Sequence, residues 1–464
     1  MVGGQKSIVV GLAIVAIIAV SSIAYSYTAL LSSSEELKRL RGDLGDLADK
    51  IDRLSSQIEE ISRVSRDLAS EVESLGRNVD SVEREVRDLG ERFSREIGEL
   101  REFIEAASSP RVGVKYSRLF EVSYDGVAKI VRDAEGQTIL LLPREFKDSQ
   151  DLVEGYRRRY NPDYIIYTPV ERAVLMSATQ VSMIYRLELE CGVDILSTRV
   201  VGIMWGEAYR WYIDKVRDLL DRGVIKDVGS ASEPDVESII ALNPDLVLIY
   251  TYPGSPVFSS LKNSNLPVVV DNEYLENSIL GRFEWIKFIA LFFNLEDCAE
   301  RIFNDVERTV ENIVSQIRSA LPVEENRSRI AWLLVWGGRI YAAKPGSYVE
   351  DLINLAGGVY AFRDIPFGSV TVELAISRGP FIDVLIYSSS KEFAPKSLEE
   401  LVESVEFLKY FKAVNDRRVY VFAPDYYQLG TSYPDILVLD LVKILYPDLP
   451  VVRDHEIRFF EKLD

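Results

Sequence analysis

Large aromatic side chains stand just after several short apolar runs of this chain. Trp205 follows RVVGIM, Tyr252 follows LVLIY, Trp336 follows RIAWLLV, and Ser388 and Ser389 follow DVLIY. Tyr341, Phe367, Tyr426 and Tyr427 lie in loops further along. Rings with apolar faces and, for Tyr and Trp, one polar end suit a bulky, partly apolar, ring-bearing ligand. Each of them taken singly also reads as a core residue. Arg282 and Glu276 border the loop before a long helical pattern. There they would meet a charged ligand or form a surface ion pair. Glu237 and Glu373 each sit near the start of a short helix, where the helix dipole favours negative charge.

What is scarce is equally informative. The chain has one histidine, His455, in the charged stretch RDHEIRFFEKLD, where a solvated surface residue is expected. Zinc or manganese capture normally takes several imidazoles, and a Ser-His-Asp or Cys-His enzyme needs one that is well placed. Two cysteines, Cys191 and Cys298, exclude a disulfide scaffold and any multi-cysteine metal site. Both lie in helix-like apolar patterns and read as buried free thiols, with pairing outside the cell left open. No phosphate-binding glycine loop or dinucleotide fingerprint is present. The expectation is therefore no catalytic site, no resident metal and no cofactor. A net charge of −19, from 54 Lys plus Arg against 73 Asp plus Glu, argues against a nucleic-acid surface.

The elements that must position these residues show a repeat. Val228–Tyr252 reads VGSASEPDVESIIALNPDLVLIYTY. Ser232-Glu-Pro-Asp has the form of a capping box, and Val236, Ile239 and Ile240 give a short helix one apolar face. Asn243-Pro244-Asp245 stops that helix, and LVLIY reads as a buried strand. Ser369–Ser388, SVTVELAISRGPFIDVLIYS, repeats the pattern with a capped helix, a Gly-Pro break and the strand DVLIY. Aligning Glu237 with Glu373 superposes the strands after a two-residue insertion, which predicts two similar lobes.

Short helix, NPD turn and buried strand together resemble the ABC-transporter solute-binding proteins that capture iron-siderophores, haem and cobalamin. The resemblance covers roughly residues 111–464. It implies an α/β fold of two Rossmann-like lobes bridged by a long helix, with the ligand beyond the carboxyl ends of the strands. Ser177-Ala-Thr-Gln resembles the family's opening Ser/Thr turn, after strands at Tyr164–Thr168 and Ala173–Met176. From Arg282 to Ala320 there is no proline and no internal glycine, and the apolar residues recur at helical spacing. One helix, or two collinear ones, is expected there, about 55 Å long. The stretch from Arg417 to Pro447 resembles the closing strand and helix. The resemblance further implies that Glu237 and Glu373 dock onto arginines of an ABC importer permease.

Ahead of the lobes the texture differs. Ser7–Leu31 is apolar and long enough to cross a bilayer, and no cysteine follows it to carry a lipid. An uncleaved single-pass anchor is expected, with the remainder placed outside the cell on functional grounds. The charge count of Lys38, Arg39 and Arg41 against Lys6 runs the other way. From Leu37 to Phe103 the a and d slots of a heptad array are apolar except at Ser65 and Glu96, a pattern for a coiled-coil stalk about 100 Å long. Ile51/Leu54, Val72/Leu75 and Val86/Leu89 favour a parallel homodimer, while pairing with another protein's helix stays open. Alternation and turns at Asp125-Gly126 and Glu135-Gly136 predict a small antiparallel β module.

The domain reading is 1–31 cytoplasmic tip and anchor, 32–106 stalk, 107–163 β module, 164–281 lobe 1, 282–320 linker helix and 321–464 lobe 2. The functional expectation is a membrane-anchored extracellular protein that captures a metal chelate and delivers it to an ABC importer. Its ligand contacts would be Trp205, Tyr252, Glu276, Arg282, Trp336, Phe367, Tyr426 and Tyr427. The alternative is a stalked surface interaction protein whose lobes no longer bind solute.

Overall fold

The computed structural model describes residues 34–72, 87–94, 97–98, 111–206, 209–230, 232–321, 323–366 and 368–464. The expected membrane span at 1–31 and Phe367 lie outside these residues. Among the described residues no helix is long and apolar enough to cross a membrane.

Two compact units divide the chain. The first contains α1, Ser34–Val72, a continuous helix of 39 residues. Leu44, Leu47, Ile51, Leu54 and Ile58 recur along one partly covered face of it, as the heptad spacing requires. The array from 73 to 86 falls outside the described residues.

The second unit holds both lobes. A four-stranded sheet comes first, ordered β1 (Glu121–Asp125), β2 (Ala128–Arg132), β3 (Thr138–Pro143) and β4 (Tyr164–Thr168). Helix α2, Gln150–Tyr160, connects β3 to β4, and those two strands run parallel. The expected purely antiparallel module is therefore corrected to a mixed sheet. Tyr164–Thr168 closes that sheet and does not open lobe 1. A helical crossover can return a strand parallel, which a hairpin cannot.

Lobe 1 is a five-stranded parallel sheet of order β7-β6-β5-β8-β9. Its strands are β5 (Ala173–Leu175), β6 (Val200–Ile203), β7 (Lys226–Asp227), β8 (Leu246–Ile249) and β9 (Val268–Val270). In β8, Leu246 and Leu248 enter the large core while Val247 and Ile249 enter a second cluster with Met176, Met204 and Ile239. Burial on both faces is why LVLI reads as an unbroken apolar run. Helices α3 (Ala178–Cys191), α4 (Asp214–Asp221) and α5 (Val236–Ala241) flank the sheet.

The region read as one helix or two collinear ones is two helices folded back on each other. They are α6, Ile279–Leu291, and α7, Glu296–Arg318. Phe283 stacks on Phe303 at 6.0 Å and Lys287 pairs with Glu300 at 3.0 Å. Pairs that close together as one index rises and the other falls define an antiparallel hairpin. Asn294, at φ +57°, takes the left-handed conformation that lets the chain reverse. The segment Gly113–Leu119 lies across α6. Glu284, fully buried, accepts the backbone N–H groups of Lys115 (2.9 Å), Tyr116 (2.7 Å) and Ser117 (2.8 Å). Lys287, also buried, donates to Glu284 (3.2 Å) and to the Gly113 carbonyl (2.9 Å). A buried carboxylate tolerates its desolvation only with this many partners.

Lobe 2 is a mixed sheet of order β11-β10-β13-β14-β15, with β12 (Val359–Tyr360) beside β10. The strands are β10 (Arg329–Trp336), β11 (Arg339–Ala342), β13 (Val384–Ser390), β14 (Val419–Phe422) and β15 (Phe460–Lys462). Helices α8 (Tyr348–Leu355), α9 (Val372–Arg378), α10 (Tyr426–Leu429) and α11 (Pro434–Leu445) pack around it. After the expected closing strand and helix the chain returns as β15, antiparallel to β14.

Two scarce residues also end up where the sequence reading did not put them. Cys191, at the end of α3, and Cys298, in α7, form a disulfide. The expectation of two buried thiols is corrected, because the helix hairpin brings α7 back against α3. His455 is not a solvated residue. Its Nε2 lies 2.6 Å from the carboxylate of Asp440, which is fully buried in α11 and also accepts the N–H groups of Arg458 and Phe459.

Candidate functional site

Asp271-Asn272-Glu273 follow strand β9 at its carboxyl end, and all three are buried. Glu273 accepts a hydrogen bond from the Thr179 hydroxyl at 3.0 Å, near the start of α3. Ser177 caps that helix, accepting the N–H of Thr179. Arg282, in the first turn of α6, grips Glu273 through Nε at 2.7 Å and Nη2 at 2.6 Å. Burial works against the guanidinium's charge, but Glu273 outweighs it and holds the group above its ordinary pKa. Asp271 is buried beside the pair. Lost hydration, and then the charge of Glu273, push its carboxyl well above the usual range.

Lobe 2 meets Arg282 with tyrosines. The Arg282 guanidinium lies 4.2 Å from the ring centre of Tyr348 at the start of α8, a cation–π contact between α6 and lobe 2. Tyr426 stacks flat on Phe422 at 4.0 Å. Burial raises its phenol well above the ordinary value, and Tyr348 and Arg282 lie close enough to act on it as well. Tyr427, on the same turn, stands half exposed with its hydroxyl 3.5 Å from the Ser388 carbonyl. The lobes also touch directly. The side chain of Gln428 accepts the Tyr212 N–H at 2.8 Å and donates to the Arg210 carbonyl at 2.7 Å. Ser182 and Ser432 share a hydrogen bond of 2.7 Å.

The other expected contacts divide. Trp205 sits after β6 in a left-handed conformation, φ +56°, with its N–H on the Gly229 carbonyl at 2.7 Å and its ring 5.6 Å from Tyr209. A pocket of about 590 Å³ opens beside Tyr209, Arg210, Trp211 and Lys226. Tyr252 is exposed after β8, grouped with Tyr250 and Tyr274. Trp336 stands 73% exposed where the β10–β11 hairpin turns through Gly337 and Gly338, both at positive φ. Tyr341 is exposed on the same hairpin, and Ser388 accepts the indole N–H of Trp332 at 3.2 Å.

Glu276 leaves the ligand set. It is buried, and it accepts the N–H groups of Arg118 (3.0 Å) and Leu119 (3.1 Å) and the indole N–H of Trp285 (3.1 Å). Ser117 also donates to it. A carboxylate this fully engaged holds the N-terminal segment in place and has no direction left for a ligand. Missed by the sequence reading were Asp271, Glu273 and Tyr348. The strand-end rule applied to LPVVVD would have found the two acids. Nothing in the sequence around Tyr348 distinguishes it.

Glu237 and Glu373 hold equivalent places. Asp235 caps α5 by accepting the Ser238 N–H at 3.0 Å, and Thr371 caps α9 by accepting the Leu374 N–H at 3.2 Å. Each glutamate is the second residue after its cap and is exposed. The cap of the first helix is therefore Asp235, three residues beyond the expected Ser232. Among the described residues no group of three or more His, Cys, Asp or Glu side chains is placed to hold a metal ion.

Residues 197–426 match the family model described as periplasmic binding protein. An uncharacterised lipoprotein of Methanocaldococcus jannaschii is 32% identical over 343 residues, covering 72% of this chain and 78% of that protein. The high-affinity haem uptake system protein IsdE of Staphylococcus aureus is 23% identical, covering 42% of this chain and 65% of its own length. A periplasmic haem-binding protein of known structure from Pseudomonas aeruginosa aligns with a TM-score of 0.47 at 16% identity, covering 60% of this chain and 94% of that one. By the family match and the extent of the archaeal relative, the chain belongs to the periplasmic binding protein family.

Proposed function

We propose that this solute-binding protein captures a metal chelate, an iron-siderophore, haem or cobalamin-like compound, between its lobes and hands it to an ABC importer permease. One observation carries the reading. The buried Glu273–Arg282 pair, set between the end of β9 and the start of α6, meets Tyr348 and Tyr426 of lobe 2, so this group of side chains draws on both lobes. Charged groups set among phenol rings suit a large ligand with apolar faces and polar edges. The names of the archaeal relatives, two of them lipoproteins, support a place on the outer face of a membrane. In this chain residues 1–31 would anchor it and the heptads of α1 would pair two copies in parallel. Trp336 and Trp205 are the ligand contacts at the rim, and Tyr426 is the contact at the floor.

Thermal unfolding of the protein with and without haemin, ferric hydroxamates and cobalamin tests the reading. A true ligand at a hundredfold over its dissociation constant adds about 2.7 kcal/mol. Trp336→Ala should weaken that ligand without lowering stability by more than about 0.5 kcal/mol, since the side chain is exposed. A rival reading, a surface interaction protein whose lobes no longer take solute, draws on the burial of Arg282, Glu273 and Tyr426 by the protein's own side chains. The absence of any shift across the whole panel would favour it.

A further inference from the structure

The binding face of lobe 1 is completed by a segment from outside the lobe. The turn between β2 and β3 lies against the edge strand β9. The Asp133 carboxylate accepts the Val270 N–H at 2.9 Å, and the Gln137 amide donates to the Val268 carbonyl at 3.0 Å. The Ala134 N–H reaches the Val270 carbonyl at 3.3 Å. Asp133 also accepts the N–H groups of Glu135 (3.1 Å) and Gln137 (2.9 Å), so the turn is fixed from inside. At its tip Glu135 accepts the Thr251 hydroxyl at 2.7 Å. Thr251 is held in turn by Asn272, through its N–H and its hydroxyl, and its carbonyl accepts the Tyr274 hydroxyl at 2.6 Å. Glu135 is thus seated at the carboxyl ends of β8 and β9, where the fold presents its ligand face.

Burial first, and then the charges of Glu273 and Glu135, raise the phenol of Tyr274, one of three clustered rings. Tyr250 lies 6.1 Å from Tyr252 and 6.1 Å from Tyr274, nearly edge-on to the latter. Tyr252 and Glu135 are exposed, and Tyr250 and Tyr274 are half-buried. Among the described residues no lysine or arginine pairs with Glu135. The nearby Glu273 already has its cation in Arg282. Ring faces attract cations through their quadrupole, and an unpaired carboxylate adds a charge and a hydrogen-bond acceptor.

We propose that Glu135, with Tyr250, Tyr252 and Tyr274, forms a subsite for an organic cation, an ammonium or guanidinium group carried by the ligand, and that the small β module thereby selects ligand charge. The proposal rests on the chelate reading of the cleft. It adds a residue from a segment that precedes the family match at 197–426.

The test uses the full-length protein and two chelates that differ by one charge. Ferrioxamine B carries a pendant ammonium on a neutral ferric trihydroxamate, and its N-acetyl derivative is the same chelate without the charge. The wild type should bind ferrioxamine B about fivefold to tenfold more tightly. Glu135→Gln keeps an oxygen for Thr251 and should abolish the preference, binding both as the wild type binds the acetylated form. Equal affinities in the wild type, or an undiminished preference in Glu135→Gln, overturn the proposal. If neither chelate binds, the chelate reading fails for hydroxamates, and benzyltrimethylammonium decides the subsite by calorimetry. Binding that is lost in Glu135→Gln and Tyr252→Ala sustains it. No binding, or binding indifferent to Glu135, overturns it.

Discussion

Glu273 and Arg282 face each other through two contacts, at 2.6 and 2.7 Å, in a site that leaves both side chains nearly without solvent. Removing one member of such a pair strands the other's charge. Arg282→Met should lower stability by about 3–5 kcal/mol, and Glu273→Gln added to it should restore part of the loss. Urea unfolding of the two variants measures both. An Arg282→Met protein as stable as the wild type would mean that the pair is open to water.

Asp271, next to this pair, gives the site a pH dependence. Burial lifts its carboxyl well above the ordinary value of 3.8, so the folded state keeps a proton that the unfolded chain releases. The folded state then binds more protons, and stability falls as pH climbs from about 4 towards the raised pKa. Asp271→Asn keeps an oxygen for the Glu273 N–H and removes the proton uptake. Its stability should change less between pH 5 and pH 8 than that of the wild type, measured by thermal unfolding across that range. Parallel curves for the two proteins would place the titration elsewhere.

The Cys191–Cys298 disulfide closes a span of 107 residues, from the end of α3 to α7. Neither sulfur should react with thiol reagents until a reductant is added. The double variant Cys191→Ser, Cys298→Ser should lose about 2–5 kcal/mol. Free thiols in the native protein by mass spectrometry would contradict the pairing.

Glu237 and Glu373 occupy the same step of the same motif in two lobes, each exposed and each the second residue after a capping side chain. The helix start and the Thr371 side chain lower the pKa of Glu373, which keeps it charged at neutral pH. Charge pairs at a docking face act on encounter and are salt-sensitive. Glu237→Lys with Glu373→Lys should leave solute affinity unchanged and abolish importer-coupled uptake. Full uptake by the double variant would remove both residues from the docking face.

The repeat that contains these glutamates was legible because a capped short helix, a break and a buried strand leave local marks that a duplication copies. The places of Trp336 and Tyr252, at or just beyond the ends of β10 and β8, were legible because short apolar runs mark buried strands. The reversal at Asn294 was not. Apolar spacing continues on both sides of it, and asparagine can enter the left-handed region without announcing a turn. The disulfide and the Asp440–His455 contact were hidden for a related reason: both depend on which helices become neighbours, and periodicity says which face is buried but not against what. Glu276 was misjudged because its partners, Ser117 to Leu119, are distant in sequence and mostly offer backbone N–H groups, which carry no residue-type signal.

The attachment of Gly113–Leu119 has a mechanical consequence. Its bonds go to Glu276, Glu284 and Lys287, in and just before α6, and α6 and α7 are the segment that joins one lobe to the other. The segment is therefore a strap across the start of the crossover between the lobes. The buried carboxylates that receive it also lie in and just before α6, so the strap and the helix cannot part without stranding charge in the interior.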